Sequence, residues 1–312
     1  MNETAARILA LGVVGILVLG SMAGFVLKHR VAKCQPHVVI DNLRARVAAW
    51  WVIAALLGLA MWGGRTGVCL LFALASLIAL REFSPMPGGR RWERAVVLGA
   101  TLGVLPVQYW LIWRGHDVLP ASPALVYAWI VVPVVAVIAG EPRDLLRRIA
   151  PLQWGLMLCV LCVAYVPALL ALQIPGYAGR NGYLLAFLLL VTQLGDVFQY
   201  LWGKWMGRRP LAHAISPAKT VEGTVGGVAS ATALGAMLAW ITPFSTMEAA
   251  ALALVVSLLG VLGGLTLSAI KRRRGIKDWG TLISGHGGVL DRLDSLCFSA
   301  PAFYYTLKFG WT

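Results

Sequence analysis

The chain of 312 residues is far more apolar and less charged than a soluble domain, with 59% hydrophobic and 13% charged residues. An average soluble domain is about half apolar and one quarter charged, whereas the mean hydropathy here is +0.77. These values exclude a disordered chain, a nucleic-acid-binding tail protein and an ordinary soluble enzyme. A polytopic membrane protein remains, provided that the apolar residues fall in runs of about 17–25.

Ten apolar segments follow one another along the chain, and each is predicted to be a helix because a helix in lipid satisfies its own backbone hydrogen bonds. Their approximate bounds are 8–27, 48–62, 67–80, 95–113, 123–139, 152–172, 183–202, 223–243, 247–269 and 295–309. The second and third are short and could instead form a re-entrant hairpin. The predicted fold is an all-α integral membrane protein with about 9–10 transmembrane helices and a cytoplasm-facing polar cavity.

The distribution of charge predicts how these segments are oriented. The chain has 27 Lys and Arg residues against 13 Asp and Glu, a formal net charge of +14. Most of the basic residues fall in alternate connections, and basic connections stay in the cytoplasm. We therefore predict a multi-pass protein integral to the cell membrane (the bacterial inner membrane), with its active site facing the cytoplasm. The surplus positive charge suits anionic lipid head groups, and no nucleic-acid partner is expected.

An acidic residue at membrane depth is the first candidate for chemistry. Asp196 lies toward the predicted cytoplasmic end of the seventh segment. A carboxylate within a membrane segment is costly and therefore marks a functional site by default. The alternative is a carboxylate that reaches the interface or pairs with Lys204, but we favour a functional role.

The connection before the eighth segment combines a possible helix start with charged residues. Ser216 and Pro217 could be the N-cap and first residue of a helix. Gly223 and the glycine four residues after it have the spacing of closely packed helices. Neither feature requires Lys219 or Glu222. A cation and an anion one helical turn apart beside a helix N-terminus suit a phosphate and its metal.

The densest polar cluster lies between the ninth and tenth segments. The plain interpretation is a basic cytoplasmic loop followed by a helix whose N-terminal acids offset the helix dipole. However, Asp291 and Asp294 would share one helix face, and such oxygen ligands suit Mg²⁺ together with substrate phosphates. Glycines nearby let backbone amides approach an anion. These features favour phosphoryl or nucleotidyl transfer at the cytoplasmic membrane surface.

The polar residues of this region form an extended motif. Its parts are Ser268-Ala269-Ile270-Lys271-Arg272, Gly275-Ile276-Lys277-Asp278, Gly285-His286-Gly287-Gly288 and Asp291-Arg292-Leu293-Asp294-Ser295. They closely resemble the signature of the phosphatidate cytidylyltransferases (CDP-diacylglycerol synthases). Two upstream stretches resemble further motifs of that family, namely Ser216-Pro217 with Lys219-Thr220 and Glu222-Gly223, and Gly195-Asp196 with Trp202-Gly203-Lys204.

The resemblance covers about residues 183–309 and divides the chain into two predicted regions. Residues 1–182 are predicted to be N-terminal transmembrane helices of unassigned role. Residues 183–312 are predicted to be the C-terminal catalytic transmembrane region.

The resemblance implies transfer of a cytidylyl group from CTP to phosphatidic acid, giving CDP-diacylglycerol and pyrophosphate in phospholipid biosynthesis. It also implies Mg²⁺ as cofactor, contact with membrane lipid and a homodimer. The catalytic positions that it implies are Asp196, Lys219, Glu222, Asp278, Asp291 and Asp294, with Asp291 and Asp196 as metal ligands. The phosphate-binding positions that it implies are Ser216, Thr220, Lys271, Arg272, Lys277, His286, Gly287, Gly288 and Arg292.

One position departs from the family pattern. Gly264 stands where the family usually has an aspartate that binds metal. The loss of a carboxylate should weaken metal binding, so the alternative is a catalytically weakened or inactive paralogue that binds lipid or nucleotide. A transporter or channel is a third alternative, but it would need polar residues along several spans. The sequence instead concentrates them at the predicted cytoplasmic end.

Overall fold

The computed structural model describes residues 3–30, 35, 38–84, 90–120, 122–140, 144–280 and 287–312. Within these ranges the chain forms ten long helical segments and one short β-hairpin. They are α1 (Glu3–Arg30), α2 (Val38–Trp62), α3 (Gly64–Phe83), α4 (Arg91–Arg114), α5 (Pro123–Ile138), α6 (Leu145–Ala171), α7 (Gly182–Met206), β1 (Pro210–Ala212), β2 (Ser216–Thr220), α8 (Val221–Met237), α9 (Thr246–Arg273) and α10 (Leu290–Trp311). Each of the ten predicted segments corresponds to one helix, which confirms the all-α prediction.

Seven of the described helices are long and apolar enough to cross a membrane, namely α1, α2, α3, α4, α6, α7 and α9. Helix α5 is apolar but shorter. Helix α8 has 17 residues, and α10 carries acidic and basic residues in its first turns. The length and composition of these helices confirm a multi-pass integral membrane protein.

Helices α2 and α3 are longer than the predicted segments because charged residues extend them. Asp41 lies in the first turn of α2 and Arg81 in the last turn of α3. A single residue, Gly63, separates the two helices, and Gly64 has a φ of +61°. Such a backbone angle favours glycine, so the sequence at this point permits an abrupt turn.

Helix α6 lies at the centre of the bundle. In its most apolar stretch 72% of the residues are buried inside the protein, against 6% in α1 and 6% in α2. Helix α6 contacts α3, α4, α5 and α10, and α1 packs mainly on α2. The α1–α2 pair is therefore peripheral, and most of its apolar surface is available to lipid.

Three described helices contain a π-helical turn, at Ala100–Val104, Tyr127–Val131 and Leu156–Cys162. The first two turns each end two residues before a proline, Pro106 or Pro133. Because proline cannot donate a backbone hydrogen bond, the helix widens locally ahead of it. These π-helical turns cannot be predicted from the hydropathy pattern alone.

The β-hairpin joins α7 to α8 and corrects one expectation. Ser216 and Pro217 lie in β2, where Ser216 pairs with Ala212 of β1. The interpretation of Ser216 as a helix N-cap is therefore wrong. The N-cap is Thr220, whose Oγ1 accepts a hydrogen bond from the Gly223 backbone N–H at 3.1 Å.

The expected close packing of small residues is confirmed where α7 crosses α8. A Cβ atom at Gly223 would lie 2.9 Å from the Cα of Gly203, and one at Gly227 would lie 2.7 Å from the Gln199 backbone nitrogen. Backbones can approach so closely only where side chains are absent. This crossing brings the C-terminal end of α7 beside the start of α8, where the polar motif residues lie.

Candidate active site

Two acidic side chains from different helices meet at one hydroxyl group. The Ser295 Oγ lies 2.6 Å from Oδ2 of Asp196 on α7 and 3.3 Å from Oδ1 of Asp294 on α10. The Ser295 backbone N–H also donates to Asp294 at 2.7 Å. The two carboxylates therefore form a pair, although they are far apart in the sequence.

A lysine from the hairpin completes this carboxylate pair. A Cβ atom at Gly264 of α9 would lie 3.0 Å from Nζ of Lys219 and 3.7 Å from Oδ2 of Asp294. Lys219 and Asp294 thus both lie beside Gly264. The position where the resemblance expects another aspartate thus lies in close contact with an ammonium group.

Asp291 belongs to a separate hydrogen-bond group. Its side chain is buried, and its Oδ1 forms an ion pair of 2.8 Å with Lys271 of α9. Its Oδ2 accepts hydrogen bonds from the backbone N–H groups of Trp279, at 2.9 Å, and Gly288, at 2.8 Å. A Cβ atom at Gly287 would lie 2.6 Å from the same oxygen, where φ is +84°. Asp291 therefore holds Trp279 and Gly288, which lie in the described parts of the connection, close to the start of α10.

A glutamate that the sequence analysis missed faces the same connection. The carboxylate of Glu82, at the end of α3, accepts hydrogen bonds from the backbone N–H groups of Val289, at 3.0 Å, and Leu290, at 2.8 Å. Together with the bond from Gly288 to Asp291, three successive amides therefore donate to carboxylates of the protein. The binding of a substrate phosphate by Gly287 and Gly288 stays a prediction.

Lys219 and Glu222 turn to different partners. The Glu222 carboxylate accepts hydrogen bonds from the backbone N–H groups of Arg208, at 3.0 Å, and Arg209, at 3.1 Å. These backbone donors, that of Arg208 first, hold the pKa of Glu222 below its ordinary value. Glu222 therefore secures the hairpin, whereas Lys219 points toward the carboxylate pair.

The remaining predicted residues surround these two groups or lie in the loop. The Arg272 side chain donates to the Ile215 carbonyl of the hairpin at 3.2 Å, and both Lys277 and Asp278 are exposed. Arg292 is partly buried on α10. The predicted residue His286 lies outside the described residues.

The N-terminal helix α2 brings a further cation to Tyr200 of α7. The Arg46 guanidinium lies 5.7 Å from the centre of the Tyr200 ring, and the Lys204 ammonium lies 5.9 Å from it. Nothing in the local sequence around Arg46 indicated this contact.

The described part of the chain has no cluster of three or more His, Cys, Asp or Glu side chains that could hold a metal ion. The pair of Asp196 and Asp294 nevertheless fits Mg²⁺, because this ion is commonly held by one or two carboxylates together with substrate phosphates and water. Of the two predicted ligands, Asp196 belongs to this pair. Asp291 has both of its oxygens bonded to donors of the protein.

Comparison with known proteins places the chain in a family. The sequence profile described as the Cytidylyltransferase family matches residues 44–309. Over 265 residues the chain is 33% identical to "Uncharacterized protein YnbB" of Escherichia coli (strain K12), covering 85% of this chain and 87% of that protein.

Two further relatives carry the name "Phosphatidate cytidylyltransferase". The protein from Synechocystis is 46% identical over 112 residues, which are 35% of this chain and 38% of that protein. The protein from Aquifex aeolicus is 37% identical over 147 residues, which are 47% of this chain and 55% of that protein. The chain thus matches about half or less of the length of these two relatives. The profile, which matches most of the chain, confirms the resemblance seen in the motifs, and the chain belongs to the cytidylyltransferase family of enzymes.

Proposed function

We propose that this protein transfers a cytidylyl group from CTP to phosphatidic acid, giving CDP-diacylglycerol and pyrophosphate in phospholipid biosynthesis. The observation that carries the proposal is the group of Asp196, Ser295, Asp294 and Lys219, in which the first turns of α10 meet α7 and the hairpin before α8. A lipid phosphate and a soluble nucleotide can both reach the end of a membrane helix. The names of the relatives from Synechocystis and Aquifex aeolicus support this choice of acceptor.

The proposed reaction is a displacement at phosphorus. An oxygen of the phosphatidate phosphate attacks the α-phosphorus of CTP and forms the new P–O bond. The bond from the α-phosphorus to the oxygen that leads to the β-phosphorus breaks, and pyrophosphate leaves with that electron pair. Such transfers depend mainly on positioning and on the neutralisation of charge. Lys219, Lys271 and Arg292 are the cations proposed to hold the phosphates.

Mg²⁺ is the proposed cofactor, with Asp196 and Asp294 as the residues that would hold it. When bound, the ion neutralises charge on the transferred phosphates. Ser295 orients both carboxylates through its hydroxyl and its backbone N–H. Lys219 adds a fixed positive charge at the same place.

The proposed location is the bacterial inner membrane, with the site on the cytoplasmic face where CTP is dissolved. The proposed assembly is a homodimer.

The test of topology is a single accessible cysteine in the loop after α9. Lys277 is exposed whereas Trp279 is buried, so we choose Lys277→Cys. We expect no reaction with an impermeant thiol reagent in intact cells and rapid reaction in opened cells. Labelling from outside would contradict the orientation.

The second candidate function is that of a weakened or inactive paralogue that binds lipid or nucleotide. Gly264 favours it, because this position supplies no carboxylate to the group of Asp196 and Asp294. A side chain introduced here would meet the Lys219 ammonium at 3.0 Å. This neighbour is the flexible end of a lysine, so an aspartate could be accommodated and would pair with it.

The experiment that separates these functions is the transfer of label from CTP into lipid. Purified protein in vesicles containing phosphatidic acid and Mg²⁺ is compared with the Gly264→Asp variant, and chelation of Mg²⁺ is the control. Turnover by the native chain would support the synthase function. Turnover by the variant but not by the native chain would indicate that the metal site of the native chain lacks a ligand. The absence of turnover in both proteins, when both are folded, would contradict the proposal.

A further inference from the structure

The end of α3, in the N-terminal half, is attached to the connection that carries the C-terminal motif. We infer that Glu82 and Phe83 are positioning residues for the reaction, an inference that rests on the proposed function. They act through the loop after α9 and the first turn of α10. Both residues lie outside every motif recognised in the sequence.

Glu82 determines where α10 begins. The first amides of a helix have no partner within the helix, and the two oxygens of Glu82 each accept one hydrogen bond, from Val289 and Leu290. Negative charge is also favourable at a helix N-terminus. Because two successive amides are bonded to one carboxylate, both the position and the rotation of the first turn are fixed. Asp291 follows directly in that turn.

The glycines of the motif provide independent evidence for this attachment. A Cβ atom at Gly288 would lie 2.4 Å from Oε2 of Glu82, and one at Gly280 would lie 2.6 Å from its Oε1. A side chain at either position would therefore displace the Glu82 carboxylate from its present place. Glycine at both positions leaves room for this carboxylate between the two sides of the loop.

Phe83 provides a second connection between α3 and Asp291. The Arg274 guanidinium donates to the Phe83 carbonyl at 2.7 Å and lies 4.4 Å from the centre of its ring. The ring of Phe83 also stacks on the ring of Trp279, with the two ring centres 4.9 Å apart. The backbone N–H of Trp279 in turn donates to Asp291. Two chains of contacts thus run from α3 to Asp291.

Because contacts from α3 fix the first turn of α10, they also determine the positions of the acidic side chains on α10. Asp294 lies one turn after Asp291 on the same helix, and its partner Asp196 lies on α7. A shift of α10 would therefore change the distance between the two carboxylates. A misplacement of about 1 Å by a residue remote from the chemistry can reduce a rate about 100-fold.

The test compares Glu82→Ala and Glu82→Gln with the control Glu93→Gln. Glu93 is a matched carboxylate of the N-terminal half, because it also caps a helix, by accepting from the Arg90 backbone N–H at 2.9 Å, and pairs with Arg148 at 2.8 Å. Two quantities are measured, namely hydrogen exchange of the peptide 287–296 and the kcat and KM for CTP.

We expect Glu82→Ala to speed exchange of the Val289 and Leu290 amides at least about tenfold and to lower kcat about 10- to 100-fold with little change in KM. Glu82→Gln, which keeps one carbonyl acceptor, should have a smaller effect on both quantities. Glu93→Gln should change neither. If Glu82→Ala fails to fold, the comparison of the two Gln variants decides.

Two results would overturn the inference. One is unchanged exchange in a folded Glu82 variant, and the other is faster exchange with an unchanged kcat. A failure of the proposed function can be distinguished from a failure of this inference, because in that case the native chain itself would show no turnover. The exchange measurement would still show in that case whether Glu82 anchors α10.

Discussion

The two halves of the molecule differ in how they use polar side chains. In α1–α6 polar side chains form pairs such as Ser76 with Tyr109 at 2.6 Å and Glu93 with Arg148 at 2.8 Å. In α7–α10 two carboxylates, Asp196 and Asp294, meet at one hydroxyl. Paired groups hold helices together, whereas adjacent carboxylates leave negative charge that suits a cation and its phosphates. The comparison indicates that α1–α6 form a supporting half, whereas α7–α10 carry the side chains proposed for the reaction.

The separation is not complete, because two residues of the N-terminal half contact the C-terminal helices. Glu82 bonds the start of α10, and Arg46 contacts the ring of Tyr200. The predicted regions, 1–182 and 183–312, therefore describe where the motifs lie. They do not describe which residues shape the site.

Outside the carboxylate pair, the largest effect on activity is expected for Asp291→Asn. The variant leaves the partly buried ammonium of Lys271 without its carboxylate and weakens the bonds from Trp279 and Gly288. We expect turnover to fall about 100- to 1,000-fold, with expression and helix content unchanged. The assay is transfer of label from CTP into lipid.

The matched control for this change is Asp117→Asn. Asp117 pairs with Lys308 near the end of α10, away from the site, and its side chain is 48% exposed. It should keep normal turnover. Full activity of Asp291→Asn would show that the group around Asp291 is not needed for the reaction.

A smaller but still large loss of activity is expected for Lys219→Met. This change removes the ammonium beside Gly264 but keeps the length of the side chain, so we expect about a 10- to 100-fold lower kcat. Lys308→Met serves as the control. Equal rates for the two variants would show that Lys219 contributes no charge to the reaction.

In the supporting half, Glu93→Gln should affect stability instead of turnover. Glu93 is buried and pairs with Arg148, and loss of a charged hydrogen bond costs about 1–3 kcal/mol. The midpoint of thermal unfolding in detergent should fall, while turnover per folded molecule stays within about twofold. A loss of turnover as large as that of Lys219→Met would contradict the division of roles.

The smallest effect is expected for Ser76→Ala. It removes a hydroxyl bonded to Tyr109 in the interior of the bundle, and a hydrogen bond between neutral groups contributes about 1 kcal/mol. Unfolding of the variant and of the native chain in the same detergent provides the measurement. No change in kcat is expected, and a clear decrease would mean that the N-terminal half participates more directly.

Much of the fold was predictable because apolar runs of sufficient length leave few alternatives to helices in a membrane. The motifs also identified Asp196, Lys219 and Asp294, which the structure brings together. Glu82 was not predictable, since 207 residues separate it from its partner Val289 and its neighbours form no motif. The error at Ser216 has a local cause. A serine before a proline suits a helix start, and only pairing with β1 makes it a strand.

The most direct test of the account is a single assay of label transfer from CTP to phosphatidic acid by the native chain, Asp196→Asn and Glu93→Gln. All three proteins are first shown to be folded. The account predicts turnover by the native chain, loss of turnover in Asp196→Asn and normal turnover in Glu93→Gln. A silent native chain, or equal rates for native and Asp196→Asn, would contradict the central claim that the chemistry lies at the carboxylate pair.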